Sequence, residues 1–149
     1  MKRCAVFIIE SDMGEIRVKV LLTNSLDEAL NRRRKLKKSA VRRYEADGMV
    51  DTGSVRSIIP SHVMQALGVM SRGNRVVEYA DGRTETVAVT EPIIFDVMGR
   101  DTLEEALVLG DEVLIGQTVL EKLDLWADCA NRRLVANPAH PDQPVTKVK

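Results

Sequence analysis

The stretch GMVDTGSVRSIIP (residues 48–60) places an acidic residue between two apolar runs. Asp and Gly both favour tight turns, so Asp51-Thr52-Gly53 alone predicts a turn between two strands. The same tripeptide raises the question whether Asp51 is a catalytic carboxylate. Taken alone it favours the turn, and the surrounding sequence is needed to weigh the second interpretation.

The composition predicts one globular domain. The chain has 149 residues, of which 44% are apolar, which is enough for one domain with a hydrophobic core. Its 22 basic and 22 acidic residues balance, so there is no whole-protein electrostatic argument for a nucleic-acid binder. His62 and His140 are the only histidines, which argues against a His-based zinc site and a Ser-His-Asp triad. No metal or other cofactor is expected.

Two features of the sequence bear on the location of the protein. The sequence contains neither a signal peptide nor an apolar span of about 18 residues. Cys4 and Cys129 are far apart and lack the spacing of metal ligands, and two reduced thiols are favoured over a disulfide. We therefore expect a cytoplasmic protein with no membrane partner.

Most of the chain has the pattern of short β-strands separated by turns. The first two strands are predicted over residues 4–9 and 15–23. Short helices are predicted at three places, the first capped by Asn24 or Ser25 and the second ended by Gly68: residues 24–30, 60–68 and 117–124. The fold class is therefore mostly β with a few short helices.

The end of the chain predicts a closing hairpin followed by a tail. The hairpin turns near Ala130 and Asn131, and residues 137–149 contain three of the five prolines. Because proline cannot donate to a strand ladder, this end is expected to fray.

Residues 32–43 form the most basic part of the chain, with eight Lys or Arg in twelve positions. One interpretation is a patch for nucleic acid or an acidic partner. The other is a solvated connection whose charge is balanced by acidic residues elsewhere. No aromatic residue interleaves with the run to stack on bases. The solvated connection is favoured, and a nucleic-acid partner is not expected.

A catalytic role for Asp51 requires a second carboxylate. Two carboxylates that share one proton can activate water and protonate a leaving group, because like charges held close together cannot both ionise. The sequence has no second Asp-Thr-Gly or Asp-Ser-Gly, and Asp47-Gly48 and Asp81-Gly82 lack the central hydroxyl. A symmetric homodimer could bring two Asp51 carboxylates together. The hypothesis therefore predicts that the monomer is inactive.

Four segments, in this order, carry a resemblance to a known family: MVDTGS (residues 49–54), VVEYADGRTETVAV (76–89), VLIGQTVLEKLDL (113–125) and DLWADCANRRLVANP (124–138). Together they resemble the retropepsin-type aspartic proteases, the single-domain homodimeric relatives of retroviral protease, and in particular their bacterial members. The resemblance runs from about residue 15 to residue 138.

The resemblance implies a mostly β, single-domain acid protease fold over residues 1–138, with a charged insertion at about 24–43 and a flexible tail at 139–149. Such a fold has a closed barrel-like core, a flap hairpin and one or two short helices. The implied activity is an aspartic endopeptidase without metal or cofactor, acting on polypeptides as an obligate homodimer.

Site residues follow from the same resemblance. Asp51 would share the lytic water with its symmetry mate, and Thr52 would hydrogen-bond across the two-fold axis. Gly53 would leave room beside the carboxylate, and Ser54 would donate a hydrogen bond to Asp51 and contact substrate.

The flap and the support of the catalytic loop are implied in the same way. The flap tip that closes over substrate would consist of Ala80, Asp81 and Gly82, although an ordinary Asp-Gly hairpin without substrate contact explains these residues too. Support from beneath the catalytic loop would come from Leu114, Ile115 and Gly116.

A second function remains open: a catalytically silent protease-like domain that binds extended peptides or a protein partner by strand addition. The retained Asp, Thr, Gly and Ser favour the enzyme, since a binder does not need a carboxylate pair.

Overall fold

The computed structural model describes residues 15–149, and the strand predicted over residues 4–9 lies outside this range. Eleven strands form within it: β1 (Ile16–Asn24), β2 (Arg43–Val50), β3 (Ile58–Ile59), β4 (Ser71–Glu78), β5 (Thr84–Thr90), β6 (Ile93–Val97), β7 (Arg100–Glu104), β8 (Leu107–Val108), β9 (Leu114–Ile115), β10 (Leu125–Asp128) and β11 (Arg133–Ala136). The α-helices of the described part are α1 (Ser25–Arg32), α2 (Ser61–Leu67) and α3 (Gln117–Leu123), and a 3-10 turn covers Lys38–Ala40. The predicted mostly β fold is confirmed.

Nine of these strands form one sheet that curls into a half-barrel, in the order β4-β5-β8-β3-β9-β2-β1-β6-β7. The short strand β9 lies parallel to β2, with Met49 opposite Leu114 and Val50 opposite Ile115. Its other neighbour is β3, which it meets antiparallel. The carboxyl end of β2 is therefore held in the middle of the sheet, where the Asp51 loop begins.

The core is made of aliphatic side chains from the inward-facing positions of the strands and from α2 and α3. Its largest fully buried residues are Ile16, Leu22, Ile59, Leu67, Ile93, Phe95, Ile115 and Leu123. Only 3% of the chain is aromatic, and Phe95 is the one aromatic side chain in this group. The alternation of buried and half-buried residues on β6 places Ile93, Phe95 and Val97 on one face, as period-2 packing requires.

The helix boundaries agree with the sequence. Asn24 caps α1, because its side-chain oxygen accepts the Asp27 N–H at 3.0 Å. Helix α2 ends at Gly68, which has φ of 68°, in the left-handed region that favours glycine. Both predictions are confirmed.

The closing hairpin is formed by β10 and β11, with Asp128 opposite Arg133, so the turn predicted near Ala130 and Asn131 is confirmed. The expectation of two reduced thiols is corrected at Cys129, which is disulfide-bonded. The only other cysteine, Cys4, lies outside the described residues. The sequence could not reveal this bond because cysteine spacing carries no information on pairing.

The segment after β11 contacts the C-terminal end of α3. His140 Nδ1 lies 2.6 Å from an Asp124 carboxylate oxygen, and the Val145 N–H donates to the same oxygen at 3.1 Å. A hydrogen bond from Asn137 is the largest cause that holds the pKa of Asp124 below its usual value, assisted by those from Val145 and His140. A domain boundary at residue 138 stays a prediction.

No helix among residues 15–149 combines the length and the apolar composition that crossing a membrane requires.

The connection between α1 and β2 is closed by a buried carboxylate. Asp27 has a side chain that is 6% exposed, and it accepts hydrogen bonds from the Arg42 backbone N–H at 3.0 Å and from Arg42 Nε at 2.8 Å. The side-chain hydrogen bond from Arg42 is the largest cause that lowers the pKa of Asp27 from 3.8. This contact ties the two ends of the connection together.

Replacing Asp27 with Ala is expected to lower the free energy of unfolding at pH 7 by about 2 kcal/mol, since hydrogen bonds to a charged group are lost. The pKa of Asp27 is lower in the folded chain, so its contribution is complete well above pH 3.8 and disappears as the pH falls through the folded value. Urea unfolding of both proteins from pH 7 to pH 3 measures this.

Glu28→Ala is the matched control, because Glu28 pairs with Arg32 on the exposed face of the same helix. An exposed i,i+4 pair contributes less than about 0.5 kcal/mol. A specific role for Asp27 would be contradicted if both variants lost the same free energy of unfolding. It would also be contradicted if Asp27→Ala remained less stable than the wild type at low pH.

Candidate active site

The catalytic candidate Asp51 follows β2 directly and lies in a tight backbone loop. Its N–H donates to the Ile115 carbonyl oxygen at 2.9 Å, which continues the β2–β9 ladder by one step. The Ser54 N–H donates to the Asp51 carbonyl oxygen at 3.2 Å and closes the turn. The Gly53 N–H donates to Asp51 Oδ1 at 3.0 Å, so the backbone also orients the carboxylate. Residues 51–54 thus form a tight turn, and the same turn presents the Asp51 carboxylate.

Ser54 does not take the role expected for its hydroxyl. Ser54 Oγ donates to the Arg56 carbonyl oxygen at 2.6 Å. A hydroxyl has one hydrogen, so this bond uses the donor that was expected to reach Asp51. The expectation is wrong on this point, and Ser54 instead stiffens the backbone that follows the loop.

The first turn of α3 holds the loop from its other side. The Gln117 N–H donates to the Ser54 carbonyl oxygen at 2.8 Å, and the Thr118 N–H donates to the Val55 carbonyl oxygen at 3.1 Å. Thr118 Oγ1 also lies 2.9 Å from the Val55 carbonyl oxygen. These N–H groups have no partner within the helix, and the loop carbonyls supply one. The first N–H groups of α3 therefore bind the carbonyl oxygens of the loop, and neither set is left without a partner.

Gly116 allows the loop and α3 to approach this closely. A Cβ atom at this position would lie 2.4 Å from the Arg56 carbonyl carbon and 2.8 Å from the Ser57 nitrogen. The Gly116 N–H donates to the fully buried Ser57 Oγ at 2.9 Å. Ile115 packs in the core next to it, and Leu114 is half-buried. Support of a catalytic loop by these three residues stays a prediction.

Three supporting residues were not found by sequence reasoning: Ser57, Thr118 and Glu104. Glu104 has a side chain that is 5% exposed. One of its oxygens lies 2.5 Å from Thr118 Oγ1 and 3.7 Å from Arg56, and the other has no hydrogen-bond partner among residues 15–149. Thr118 thereby links Glu104 at the end of β7 to the carbonyl of Val55. No local pattern indicates these contacts, because each joins residues from separate elements.

Asp51 opens on a cleft of about 660 Å³ between the Asp51 loop and the β4–β5 hairpin. Besides Asp51, the loop contributes Gly53 and Ser54 to the cleft wall. The apolar part of the wall includes Val55, Ile58, Val76, Val77, Leu107, Leu109 and Leu114, and polar side chains come from Arg56, Arg75, Glu78 and Tyr79. Apolar side chains beside polar groups that can fix orientation suit a peptide with apolar side chains.

The β4–β5 hairpin carries the expected flap tip. Gly82, with φ of 88°, completes the turn between Glu78 and Thr84. Ala80 lines the cleft, whereas Asp81 and Gly82 do not border it in the single chain. A contact of Asp81 or Gly82 with substrate therefore stays a prediction.

Polar side chains brace the hairpin tip. Arg83 donates to Asp81 through its backbone N–H at 3.0 Å and through Nε at 2.7 Å, and the backbone bond is the largest cause of the lowered pKa of Asp81. The Arg83 guanidinium also lies 4.9 Å from the centre of the Tyr79 ring. Tyr79 donates to Glu85 at 2.5 Å, which raises the pKa of Tyr79. The tip is thus fixed by its own side chains.

Within residues 15–149, no group of three or more His, Cys, Asp or Glu side chains is arranged to hold a metal ion.

No protein-family description and no curated protein matches this chain. Similar solved structures include the foamy viral protease-reverse transcriptase in complex with an RNA/DNA hybrid, at 19% identity and a TM-score of 0.46. That match covers 72% of this chain and 12% of the viral one, so this chain spans a small part of its length. They also include the EIAV protease complexed with an inhibitor, at 14% identity and a TM-score of 0.47, covering 76% of this chain and 92% of that protease.

Proposed function

We propose that this chain is an aspartic endopeptidase of the retropepsin type, close to the bacterial members, which is active as a homodimer. One observation carries the proposal: the Asp51 carboxylate is held by the Gly53 N–H in a tight loop at the end of a central strand, and it opens on an apolar cleft. The loop motif and the apolar-apolar-Gly segment beneath it resemble those of the family.

The chemistry needs two chains. Each chain supplies one Asp51, and two such carboxylates on a two-fold axis would share one proton. The ionised one takes a proton from water, which attacks the peptide carbonyl, and the protonated one donates to the carbonyl oxygen. Collapse of the tetrahedral intermediate returns a proton to the leaving amine. Thr52 would stiffen the pair by hydrogen bonding across the axis.

The substrate of this proposal is a polypeptide in extended conformation. Ile58, Leu107 and Leu114 would contact its side chains from below, and Ser54 would contact its backbone. The hairpin tip at Ala80, Asp81 and Gly82 would close over it and exclude water. No cofactor takes part.

The domain of this proposal comprises residues 1–138, and the location expected from the sequence is cytoplasmic. The disulfide at Cys129 argues against a strongly reducing compartment, because disulfides rarely persist there. The location therefore stays a prediction.

Specific activity is expected to rise with protein concentration, because only the dimer contains a complete site. Well below the dimer dissociation constant, the cleavage rate should grow with about the square of the concentration. Sedimentation or size-exclusion measurements run beside a peptide-digest assay determine whether the activity follows the dimer fraction. A constant specific activity for a chain that remains monomeric would refute the shared site.

A second function is favoured by one observation: among residues 15–149, β4 is an edge strand of the nine-stranded sheet, and nearly all its residues are exposed. An edge strand has unpaired backbone groups that can accept a peptide strand without cleaving it. Peptide affinity without turnover from acidic to neutral pH would favour this binding function over the protease.

A further inference from the structure

The connection from the end of α1 to the start of β2, residues 32–43, is here called the basic loop. It contains eight of the 22 basic residues of the chain and none of the 22 acidic ones. The other 137 residues therefore have 14 basic against 22 acidic residues, a net charge of −8. The chain is neutral as a whole, but its positive charge is concentrated in the basic loop and the remaining residues are net negative. The total composition does not show this separation.

Most of these charges are not neutralised within the described structure. Arg32 pairs with Glu28, and Arg42 pairs with Asp27. The remaining six basic side chains are on exposed residues and make no ion pair with residues 15–149: Arg33, Arg34, Lys35, Lys37, Lys38 and Arg43. The solvated connection was favoured because acidic residues were expected to balance its charge. In the described part of the chain, acidic residues pair with only two of its eight cations.

The backbone of the basic loop is held in a defined conformation. The Lys35 N–H donates to the Leu30 carbonyl oxygen at 2.8 Å, and the Asn31 side chain donates to the Leu36 carbonyl oxygen at 3.0 Å. Arg34 has φ of 60°, a left-handed conformation that costs a non-glycine residue about 1 kcal/mol. With the Asp27–Arg42 contact at its base, the backbone of the loop has little conformational freedom left to lose on binding, whereas the exposed cationic side chains keep theirs.

We propose that the basic loop binds the phosphate backbone of double-stranded nucleic acid without regard to sequence. Closely spaced, unpaired cations bind a regular row of phosphates by releasing condensed counterions. The net charge of −8 on the remaining residues repels the same polymer, which favours approach through the basic loop.

The surroundings of the cations distinguish a duplex from other anionic partners. Stable binding to a lipid surface needs apolar side chains that insert, but Leu36 is half-buried and Val41 is buried. Single strands are held largely by stacking on aromatic residues, and the loop contains none. A duplex needs neither, because its phosphates alone supply the contacts.

Binding at this surface leaves the Asp51 cleft free. Residues 44–50 of β2 lie between the basic loop and Asp51, and the eight steps from Arg43 to Asp51, at ~3.3 Å per residue, separate the two by about 26 Å. The proposal therefore does not depend on the proteolytic function, and the two can fail separately.

The test measures fluorescence anisotropy of a labelled 20-base-pair DNA duplex of arbitrary sequence, from 50 to 200 mM NaCl. The full chain is compared with a variant in which three cations of the loop are neutralised: Arg33→Gln, Lys35→Gln and Lys38→Gln. Each phosphate contact contributes about 0.9 to the slope of log affinity against log salt. We expect the slope to become shallower by about 3 and the affinity at 100 mM salt to fall more than tenfold.

The control variant removes the same net charge outside the loop, from three exposed residues: Arg132→Gln, Lys147→Gln and Lys149→Gln. It should bind as the wild type does. An equal loss in both variants would show a net-charge effect and overturn the proposal. Undetectable duplex binding at 50 mM salt would overturn it too, as would tighter binding to single-stranded DNA or to phosphatidylserine vesicles.

Discussion

Replacing Asp51 with Asn is expected to abolish peptide cleavage, with a loss of about 10³-fold or more, while the chain still folds and dimerises. Asn has nearly the same shape, and its side-chain oxygen can still accept the Gly53 N–H that now binds Asp51 Oδ1 at 3.0 Å. It cannot ionise, however, so it can neither activate water nor hold the shared proton. Digestion of a peptide library, followed by mass spectrometry, measures the loss.

Asp47→Asn is the matched control, since Asp47 lies on β2, four positions before Asp51, and is exposed. It should cleave normally. A tenfold excess of the Asp51→Asn chain mixed with wild type should suppress most of the cleavage, because most wild-type chains then pair with an inactive partner. The shared carboxylate pair would be refuted if Asp51→Asn still cleaved peptides. It would also be refuted if the wild type were dimeric and the added Asp51→Asn chain did not reduce its cleavage.

The parts of the fold that the sequence predicted are those set by local patterns. The apolar run that ends at Asp51 and the Leu114-Ile115-Gly116 segment predict two buried strands, and β2 and β9 are adjacent in the sheet. The helix ends at Asn24 and Gly68 follow from capping chemistry, which needs only neighbouring residues. Such features depend on a few consecutive side chains.

The parts that the sequence did not predict depend on contacts between distant residues. Ser57 binds the Gly116 N–H across 59 positions of the chain, and Thr118 reaches Val55 across 63. Ser54 has several possible acceptors, and only the path of the backbone determines that it donates to Arg56. Hydroxyl groups accept and donate in many geometries, so their partners follow from packing and not from residue type.

The charged residues show the same limit. The sequence gives the density of cations in residues 32–43 but not which of them are paired. Asp27 lies on α1, 15 positions before Arg42, and only the return of the chain to β2 brings their side chains together. The acidic residues elsewhere were expected to balance the run. Within residues 15–149, acidic side chains pair with only two of the eight cations, Arg32 and Arg42.

Replacing Gly116 with Ala is expected to destabilise the chain by at least about 3 kcal/mol, or to prevent folding, and to reduce cleavage in whatever protein folds. The added Cβ would lie 2.4 Å from a backbone carbon of Arg56, and neither backbone can move independently. Gly116 is flanked by Ile115, which accepts the Asp51 N–H, and by Gln117, which donates to Ser54. Relief of the clash must therefore displace the catalytic loop. Urea unfolding measures the stability.

Gly73→Ala, on β4 of the hairpin, separates this clash from the general effect of replacing glycine. A Cβ at Gly73 would meet no atom within 4 Å. Alanine there also restricts the unfolded chain, so the free energy of unfolding should change by less than about 1 kcal/mol in either direction. If Gly116→Ala unfolds at the same urea concentration as Gly73→Ala, the close contact between α3 and the catalytic loop does not fix the position of Asp51. The carboxylate would then have to be positioned by the β2–β9 ladder alone.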